Sequence, residues 1–277
     1  MEQAMKTGLE SWFQPLPDKQ CPFCGHMLRQ LTHTVASGET YLLGIYETCT
    51  CAAAQSEQAA AMAAKAEAER KRVEDTRAST VHALMAASGI RGRYASRTLQ
   101  TYAVPPGDER ALKVALNYVL KFEEQREKGM GLYLYGTCGV GKTHLAYGVA
   151  HALIEQLHSV ICRSATDILL ELRGQMDGTA NGTEYETMLR YLTCDLLVID
   201  DLGKQQVTDW SMAQLSTIFD GRCQDMLPVI VTTNYSDAEL IERLALRSDK
   251  KTAASIVSRL HEMTYDVPMS GQDYRSR

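Results

Sequence analysis

The feature that most constrains this chain is a glycine-rich segment, Gly136-Thr137-Cys138-Gly139-Val140-Gly141-Lys142-Thr143. It matches the phosphate-binding loop pattern G-x-x-x-x-G-K-[ST] at every fixed position. An apolar run before it predicts a buried strand, and residues 144–156 predict a helix, which is the context that the motif requires. Loop N–H groups and the helix N-terminus favour phosphates, while Thr143 is placed to bind Mg²⁺. We therefore predict a nucleotide site formed by Gly136, Thr137, Cys138, Gly139, Val140, Gly141, Lys142, Thr143 and His144.

A second signal lies farther along the chain, where an apolar run at residues 196–199 ends in Asp200 and Asp201. This is a Walker B arrangement, in which a carboxylate at the end of a strand holds Mg²⁺. We assign Asp200 to the metal and Asp201 to the base that orients the attacking water. The alternative is a helix N-cap after a buried strand, because Asp-Asp-Leu-Gly could equally begin a turn.

A third apolar run, at residues 228–232, stops at Thr233 and Asn234. If this strand neighbours the Walker B strand, Asn234 is able to hydrogen-bond the γ-phosphate or the attacking water. An ordinary turn into the following helix explains the same pattern, and the residues alone do not separate the two interpretations.

The N-terminal segment, residues 1–52, contains two close cysteine pairs, Cys21 with Cys24 and Cys49 with Cys51. The C-x₂-C and C-x-C spacings at the ends of a predicted hairpin suit four thiolate ligands of a structural Zn²⁺. Disulfides are the competing interpretation. The chain starts without an apolar signal segment, so we expect a reducing compartment, the cytoplasm, which favours the metal. His26 and His33 are possible substitutes for one ligand, but the four cysteines suffice.

Three segments are predicted: a zinc-binding domain at 1–52, an alanine-rich helical linker at 53–78 and a nucleotide-binding domain at 79–277. Strands alternate with helices in the last of these, which predicts a parallel sheet covered on both faces. A net charge of −5 gives no general attraction to nucleic acid. Any DNA contact would need a local basic patch, for which the candidates are Arg91, Arg93, Arg97, Lys250 and Lys251. No segment reaches transmembrane length.

Three strings carry a family resemblance: residues 139–146 (GVGKTHLA), 197–203 (LVIDDLG) and 231–234 (VTTN). Together they resemble the AAA+ initiator clade, and within it the bacterial and phage replicative helicase loaders of the DnaC/DnaI type, with IstB-type transposition-helper ATPases as relatives. The resemblance covers residues 88–277. Its first part, residues 88–94 (SGIRGRY) followed by Thr98 and Leu99, resembles the segment that precedes the core in such loaders and that tends to lie near the nucleotide base. The resemblance implies an AAA+ domain with a five-stranded parallel sheet flanked by helices, preceded here by the small zinc-binding β-hairpin domain.

The resemblance also implies roles for individual residues. Asn234 takes the position called sensor 1, and the ending Asp273-Tyr274-Arg275 resembles the sensor 2 segment, with Arg275 near the phosphates of its own subunit. Arg259 matches the arginine finger that reaches into a neighbouring subunit. An isolated subunit should then be a weak ATPase. Asp201 stands where many relatives carry Glu.

The function that these features predict is ATP- and Mg²⁺-dependent loading of a hexameric replicative DNA helicase onto single-stranded DNA. The ATPase domains would self-associate, and the zinc domain would contact the helicase. Three alternatives stay open: a transposition-helper ATPase, a nucleotide-gated binding module with little turnover, and a small-molecule P-loop kinase.

Overall fold

The computed structural model describes residues 16–36, 38, 40–104, 109–176, 183–271 and 273. The chain divides into two compact units, Met1–Thr76 and Arg77–Arg277. Among the described residues, no helix combines the length and the apolar character needed to cross a membrane.

The first unit contains two small antiparallel sheets. Its strands are β1 (Lys19–Gln20) paired with β2 (Met27–Leu28), and β3 (Gln30–Thr34) paired with β4 (Thr40–Tyr46). Cys21 and Ala54 are the only buried hydrophobic residues among the described part of this unit. A unit with so little apolar core needs another source of stability, such as a metal or a disulfide.

The alanine-rich segment forms helix α1, Ala52–Ser88, which is longer than the predicted linker. Its last turns lie in the second unit, where Val81, Leu84 and Met85 pack against buried residues of the sheet and helices. The Arg163 guanidinium donates to the carbonyl of Ser88, one of the groups left without a partner at a helix end. Gly89 follows in a left-handed conformation and ends the helix.

The second unit is built on a parallel sheet of five strands in the order β6-β7-β8-β5-β9. The strands are β5 (Gly131–Gly136), β6 (Val160–Ser164), β7 (Leu196–Leu202), β8 (Val229–Thr233) and β9 (Thr264–Met269). The helices are α2 (Glu109–Leu120), α3 (Phe122–Glu127), α4 (Lys142–Glu155), α5 (Ala165–Met176), α6 (Glu184–Thr193), α7 (Asp209–Gln224), α8 (Asp237–Leu244) and α9 (Lys250–Glu262).

Both faces of this sheet are buried, which confirms the predicted architecture. Along β7, Leu196 and Val198 join one apolar cluster, whereas Leu197 and Ile199 join the other. This alternation is the period of two that a strand imposes, and burial on both sides explains why the strand is a continuous apolar run. The carboxyl ends of β5, β7 and β8 lie side by side, since β8 pairs with both other strands. The predicted motifs therefore meet at one edge.

Candidate functional site

The phosphate-binding loop connects β5 to α4. Gly136, Gly139 and Gly141 have φ of +143°, +80° and +99°, conformations that glycine adopts without strain. Space is also limited: a Cβ on Gly141 would come within 2.9 Å of the Tyr102 ring. Glycine is therefore required here both by the backbone and by its neighbours. The loop turns directly into the N-terminus of α4, where unpaired N–H groups and the helix dipole favour an anion.

Lys142 is the first residue of α4 and is almost completely buried. Its ammonium group donates to the carbonyl of Gly136 at 2.8 Å and to that of Thr137 at 2.6 Å. The loop's own backbone thus holds the ammonium group at the loop. A phosphate bound there would interact with the Lys142 ammonium group alongside these two carbonyls.

Thr143 and Asp200 are joined across the loop and the end of β7. The Thr143 hydroxyl donates to Asp200 Oδ1 at 2.8 Å, which brings together the two residues assigned to Mg²⁺. Thr232, on β8, donates to the same oxygen at 2.6 Å and accepts from the backbone N–H of Asp201 at 2.9 Å. Thr232 was missed from the sequence, although it lies in the β8 run.

Asp200 is a buried carboxylate with two hydroxyl donors. Burial raises its pKa above the ordinary value, and the charge of Asp201 acts in the same direction, while the hydrogen bonds from Thr232 and Thr143 lower it. A nearby cation would stabilise the ionised form of this carboxylate, because it offsets the free-energy cost of burying the negative charge. The arrangement fits Mg²⁺ held by Thr143 and Asp200, as in other P-loop nucleotide sites.

Asp201 follows in a left-handed backbone conformation, with φ of +59°, where the pairing of β7 with β8 changes register. This turn directs Asp201 and Asp200 differently: Asp201 lines the cavity, whereas Asp200 is buried beneath it. The Asp201 carboxylate forms an ion pair with Lys204 at 2.8 Å. Asn234 lines the same cavity.

The opposite wall of the cavity comes from the segment between α1 and α2. The cavity measures about 290 Å³ and is lined by Arg93, Tyr94, Arg97, Thr101, Tyr102, Ala103, Gly139, Val140, Gly141, Lys142, Thr143, His144, Asp201 and Asn234. His144 Nε2 lies 3.0 Å from the carbonyl of Thr98, and its Nδ1 lies 3.3 Å from Arg97 Nη1. These partners fit a neutral ring, and burial lowers the pKa of His144 accordingly.

The two predicted arginines of the hydrolysis machinery lie elsewhere. Arg259, on α9, pairs with Asp220 at 3.1 Å and with Glu262 at 2.7 Å, and it is not among the described residues that line the cavity. Arg275 lies outside the described residues. Asp273 is described, and a Cβ on Gly139 would overlap its carboxylate, so the chain approaches the phosphate-binding loop two residues before Arg275.

The four N-terminal cysteines form a compact cluster in the first unit. The sulfur atoms of Cys21, Cys24, Cys49 and Cys51 all lie within 4.8 Å of one another, with 3.8 Å from Cys21 to Cys51 and 3.4 Å from Cys24 to Cys49. Tetrahedral Zn²⁺ with Zn–S bonds of about 2.3 Å places its sulfur ligands about 3.8 Å apart. The cysteines are free rather than disulfide-bonded. Backbone N–H groups of Phe23 and Cys24 lower the pKa of the Cys21 thiol to about 7, whereas the hydrogen bond with the Cys24 thiol helps to raise the pKa of Cys49.

Comparison with known proteins agrees with this geometry. The model of the family described as "IstB-like ATP binding protein" matches residues 108–277. The replicative helicase loader DnaI of Bacillus subtilis is 26% identical over 198 residues, which is 70% of this chain and 63% of that protein. The replicative helicase loader DnaC of Escherichia coli K12 is 29% identical over 176 residues, covering 62% of this chain and 69% of the relative. The chain thus spans less than two thirds of the length of the first of these relatives.

Solved structures show the same fold. A crystal structure of the DnaC helicase loader superposes with a TM-score of 0.55 at 28% identity, over 65% of this chain and all of that one. The AAA+ fold expected from the sequence is confirmed by this match and by the strand order of the sheet.

Proposed function

Since the chain belongs to the family of IstB-like ATP-binding proteins, we propose that it hydrolyses ATP to load a hexameric replicative helicase onto single-stranded DNA. The main support is the convergence of Lys142, the Thr143–Asp200 pair, Asp201 and Asn234 at one edge of the sheet. The names of the similar proteins, replicative helicase loaders, supply the partner. A role in DNA replication would place the protein in the cytoplasm.

The proposed chemistry divides among these residues. ATP would lie in the cavity with its phosphates on the loop and on Lys142, and bound Mg²⁺ would supply positive charge to the phosphate oxygens. Asp201 would orient and polarise the attacking water once Lys204 releases its carboxylate, and Asn234 would hydrogen-bond the water or the γ-phosphate. Among the described residues that line the cavity, the arginines are Arg93 and Arg97, and neither lies in the segment that resembles the arginine finger.

Arg259 is proposed as that finger, acting on the ATP of an adjacent subunit. Its place on α9, away from the cavity of its own subunit, agrees with action between subunits. A guanidinium on the developing charge contributes about 10³- to 10⁵-fold in rate for P-loop hydrolases. Self-association of the ATPase domains would therefore be needed for rapid turnover.

The N-terminal unit is proposed to bind one zinc ion through Cys21, Cys24, Cys49 and Cys51 and to contact the helicase. Exposed apolar side chains on this unit, Phe23 and Ile45 among them, offer a surface for a protein partner. Helix α1 would connect this unit to the ATPase domain.

Co-purification with a hexameric replicative helicase tests the proposal. We expect the intact chain with ATP and Mg²⁺ to bind the helicase and to increase its loading onto circular single-stranded DNA. Cys49→Ser should abolish helicase binding, whereas Cys223→Ser, at a cysteine outside the cluster, should not. Failure of the intact, zinc-loaded chain to bind any replicative helicase would refute the proposal.

A transposition-helper ATPase is the second candidate, because the matched family model is that of IstB-like proteins. Such a protein would bind a transposase and duplex DNA instead of a helicase. The variant Asp201→Asn distinguishes a loader from a nucleotide-gated module with little turnover. A loader with this change should be trapped in its ATP-bound, helicase-bound state. A module that does not depend on hydrolysis should bind and release its partner as the unchanged chain does.

A further inference from the structure

The nucleotide cavity contains two guanidinium groups that the phosphate-binding motif does not account for. Arg93 and Arg97 line it from the segment that follows α1, opposite Lys142. Among the described lining residues, these three cations face the single carboxylate of Asp201. This excess of positive charge suits a polyanion, and a nucleotide triphosphate would enter between the two walls.

The segment that carries the arginines is firmly packed on α4. The Tyr94 ring stacks on Tyr147 with 4.7 Å between ring centroids, and the Tyr94 carbonyl lies 3.1 Å from His151 Nε2. Leu99 is buried against Gly148, where an added Cβ would come within 2.8 Å of the Leu99 side chain. The backbone around Arg93 and Arg97 is thus fixed relative to the phosphate-binding loop.

Arg93 is held in place by its neighbour. Its Nη2 donates to the Tyr94 hydroxyl at 3.0 Å, and the guanidinium carbon lies 5.0 Å from the Tyr94 ring centroid. This hydrogen bond raises the pKa of Arg93, and the negative charge of Asp200 acts in the same direction. The other N–H donors of the Arg93 guanidinium have the forked geometry that suits phosphate oxygens.

Arg97 has a different partner. It donates to Nδ1 of His144, in the first turn of α4, and so lies beside the helix N-terminus. The Arg97 guanidinium thus already has a partner on α4, whereas the hydrogen bond of Arg93 goes to Tyr94 in its own segment.

We propose that Arg93 is a phosphate ligand of the bound nucleotide, supplied by the same subunit that supplies Lys142. This rests on the proposed nucleotide function and adds a residue that lies outside the phosphate-binding loop. This assignment would couple nucleotide binding to helix α1, because the short helix Gly92–Tyr94 follows the end of α1 after only a few residues. A bound triphosphate would hold the segment through which α1 joins the ATPase domain.

Binding of a graded series of ligands to the full chain tests this assignment. Affinities for ATP, ADP and adenosine would be measured in Mg²⁺ for the unchanged chain, Arg93→Ala and Arg93→Gln. Arg91→Ala is the matched control, since Arg91 is also exposed and adjoins the same short helix but does not line the cavity. We expect both Arg93 variants to lose about tenfold in ATP affinity. Adenosine affinity should stay within about twofold, which also shows that the variants are folded.

Hydrogen exchange supplies an independent readout. ATP should slow amide exchange across residues 91–98 in the unchanged chain and in Arg91→Ala, but not in the Arg93 variants. ATP affinity of Arg93→Ala equal to that of Arg91→Ala would overturn the inference, and so would an equal loss for adenosine and ATP. The variant Lys142→Ala separates the proposed role of Arg93 from the proposed function. If Lys142→Ala binds ATP as tightly as the unchanged chain, the proposed function itself fails.

Discussion

Thr232→Val is predicted to destabilise the second unit more than the same change at the next residue. The Thr232 hydroxyl donates to the Asp200 carboxylate at 2.6 Å and accepts from the N–H of Asp201 at 2.9 Å. Thr233 is equally buried on the same strand, but its hydroxyl donates to the neutral carbonyl of Leu202 at 2.8 Å. Thr233→Val is therefore a matched control that differs mainly in the charge of the acceptor.

The magnitude follows from the bonds removed. A hydrogen bond to a charged group contributes about 1.5–3 kcal/mol and a neutral one about 0.5–1.5 kcal/mol, so Thr232→Val should lower the free energy of unfolding by about 2–4 kcal/mol. The Thr233 hydroxyl also accepts from the backbone N–H of Tyr235 at 3.3 Å. Thr233→Val should cost about 1–3 kcal/mol, since both of these bonds are neutral. For a unit of this size, each kcal/mol lowers the melting temperature by about 2–4 °C.

The difference between the two variants should depend on pH. Burial holds the pKa of Asp200 above its ordinary value of 3.8, and loss of the Thr232 donor raises this pKa further. Above that raised pKa the ionised Asp200 carboxylate therefore destabilises the folded state. As the pH falls through the raised pKa, Asp200 is protonated and this loss of stability disappears. The excess cost of Thr232→Val should be largest at pH 7 and vanish near pH 3.8.

Urea unfolding followed by circular dichroism, without nucleotide or Mg²⁺, measures both quantities. The slope of unfolding free energy against urea concentration should be the same for both variants and the unchanged chain. The differences between them then reflect stability rather than a change in the compactness of the unfolded state. Equal losses for the two variants at pH 7, or a difference that stays constant down to pH 4, would refute the assigned role of Thr232.

Three further predictions concern other parts of the molecule. Cys21→Ser should release the bound zinc, measured as about one equivalent per chain by mass spectrometry, whereas Cys223→Ser should retain it; equal zinc content would contradict the cluster. Arg259→Ala should leave ATP affinity unchanged but reduce the turnover of assembled subunits by about 10³-fold, and an undiminished rate would exclude this finger. Arg222 is fully buried and donates to the carbonyls of Tyr191, Cys194 and Pro228; Arg222→Met should lower the free energy of unfolding by about 3–5 kcal/mol, and a loss below about 1 kcal/mol would show that these bonds contribute little.

The parts of the fold that could be predicted are those encoded in short stretches of sequence. The phosphate-binding loop needs glycine at fixed positions, and strands buried on both faces appear as continuous apolar runs, as in β7 and β8. Helix α2 was not anticipated, although its apolar residues recur at helical spacing and Ala111, Ala115 and Tyr118 are buried on one side of it. It lies outside the motifs on which the sequence interpretation concentrated.

The parts of the site that were missed depend on contacts between distant segments. Thr232 meets Asp200 only because β7 and β8 pair in the observed register, with Ile199 opposite Val231. As individual residues, Arg93 and Arg97 were named only as candidates for a DNA-binding patch, although residues 88–94 resemble the loader segment that lies near the nucleotide base. Their place at the nucleotide cavity follows from the packing of their segment on α4. The extension of α1 to Ser88 has the same origin, because its last turns are held by the core of the second unit.

The most direct test of the central claim is calorimetric titration of the purified chain with ATP in the presence and absence of Mg²⁺. We predict one ATP per chain, tighter binding when Mg²⁺ is present, and loss of most of the affinity in Lys142→Ala. Absence of ATP binding by the unchanged chain, or affinity that is indifferent to both Mg²⁺ and Lys142, would contradict the account.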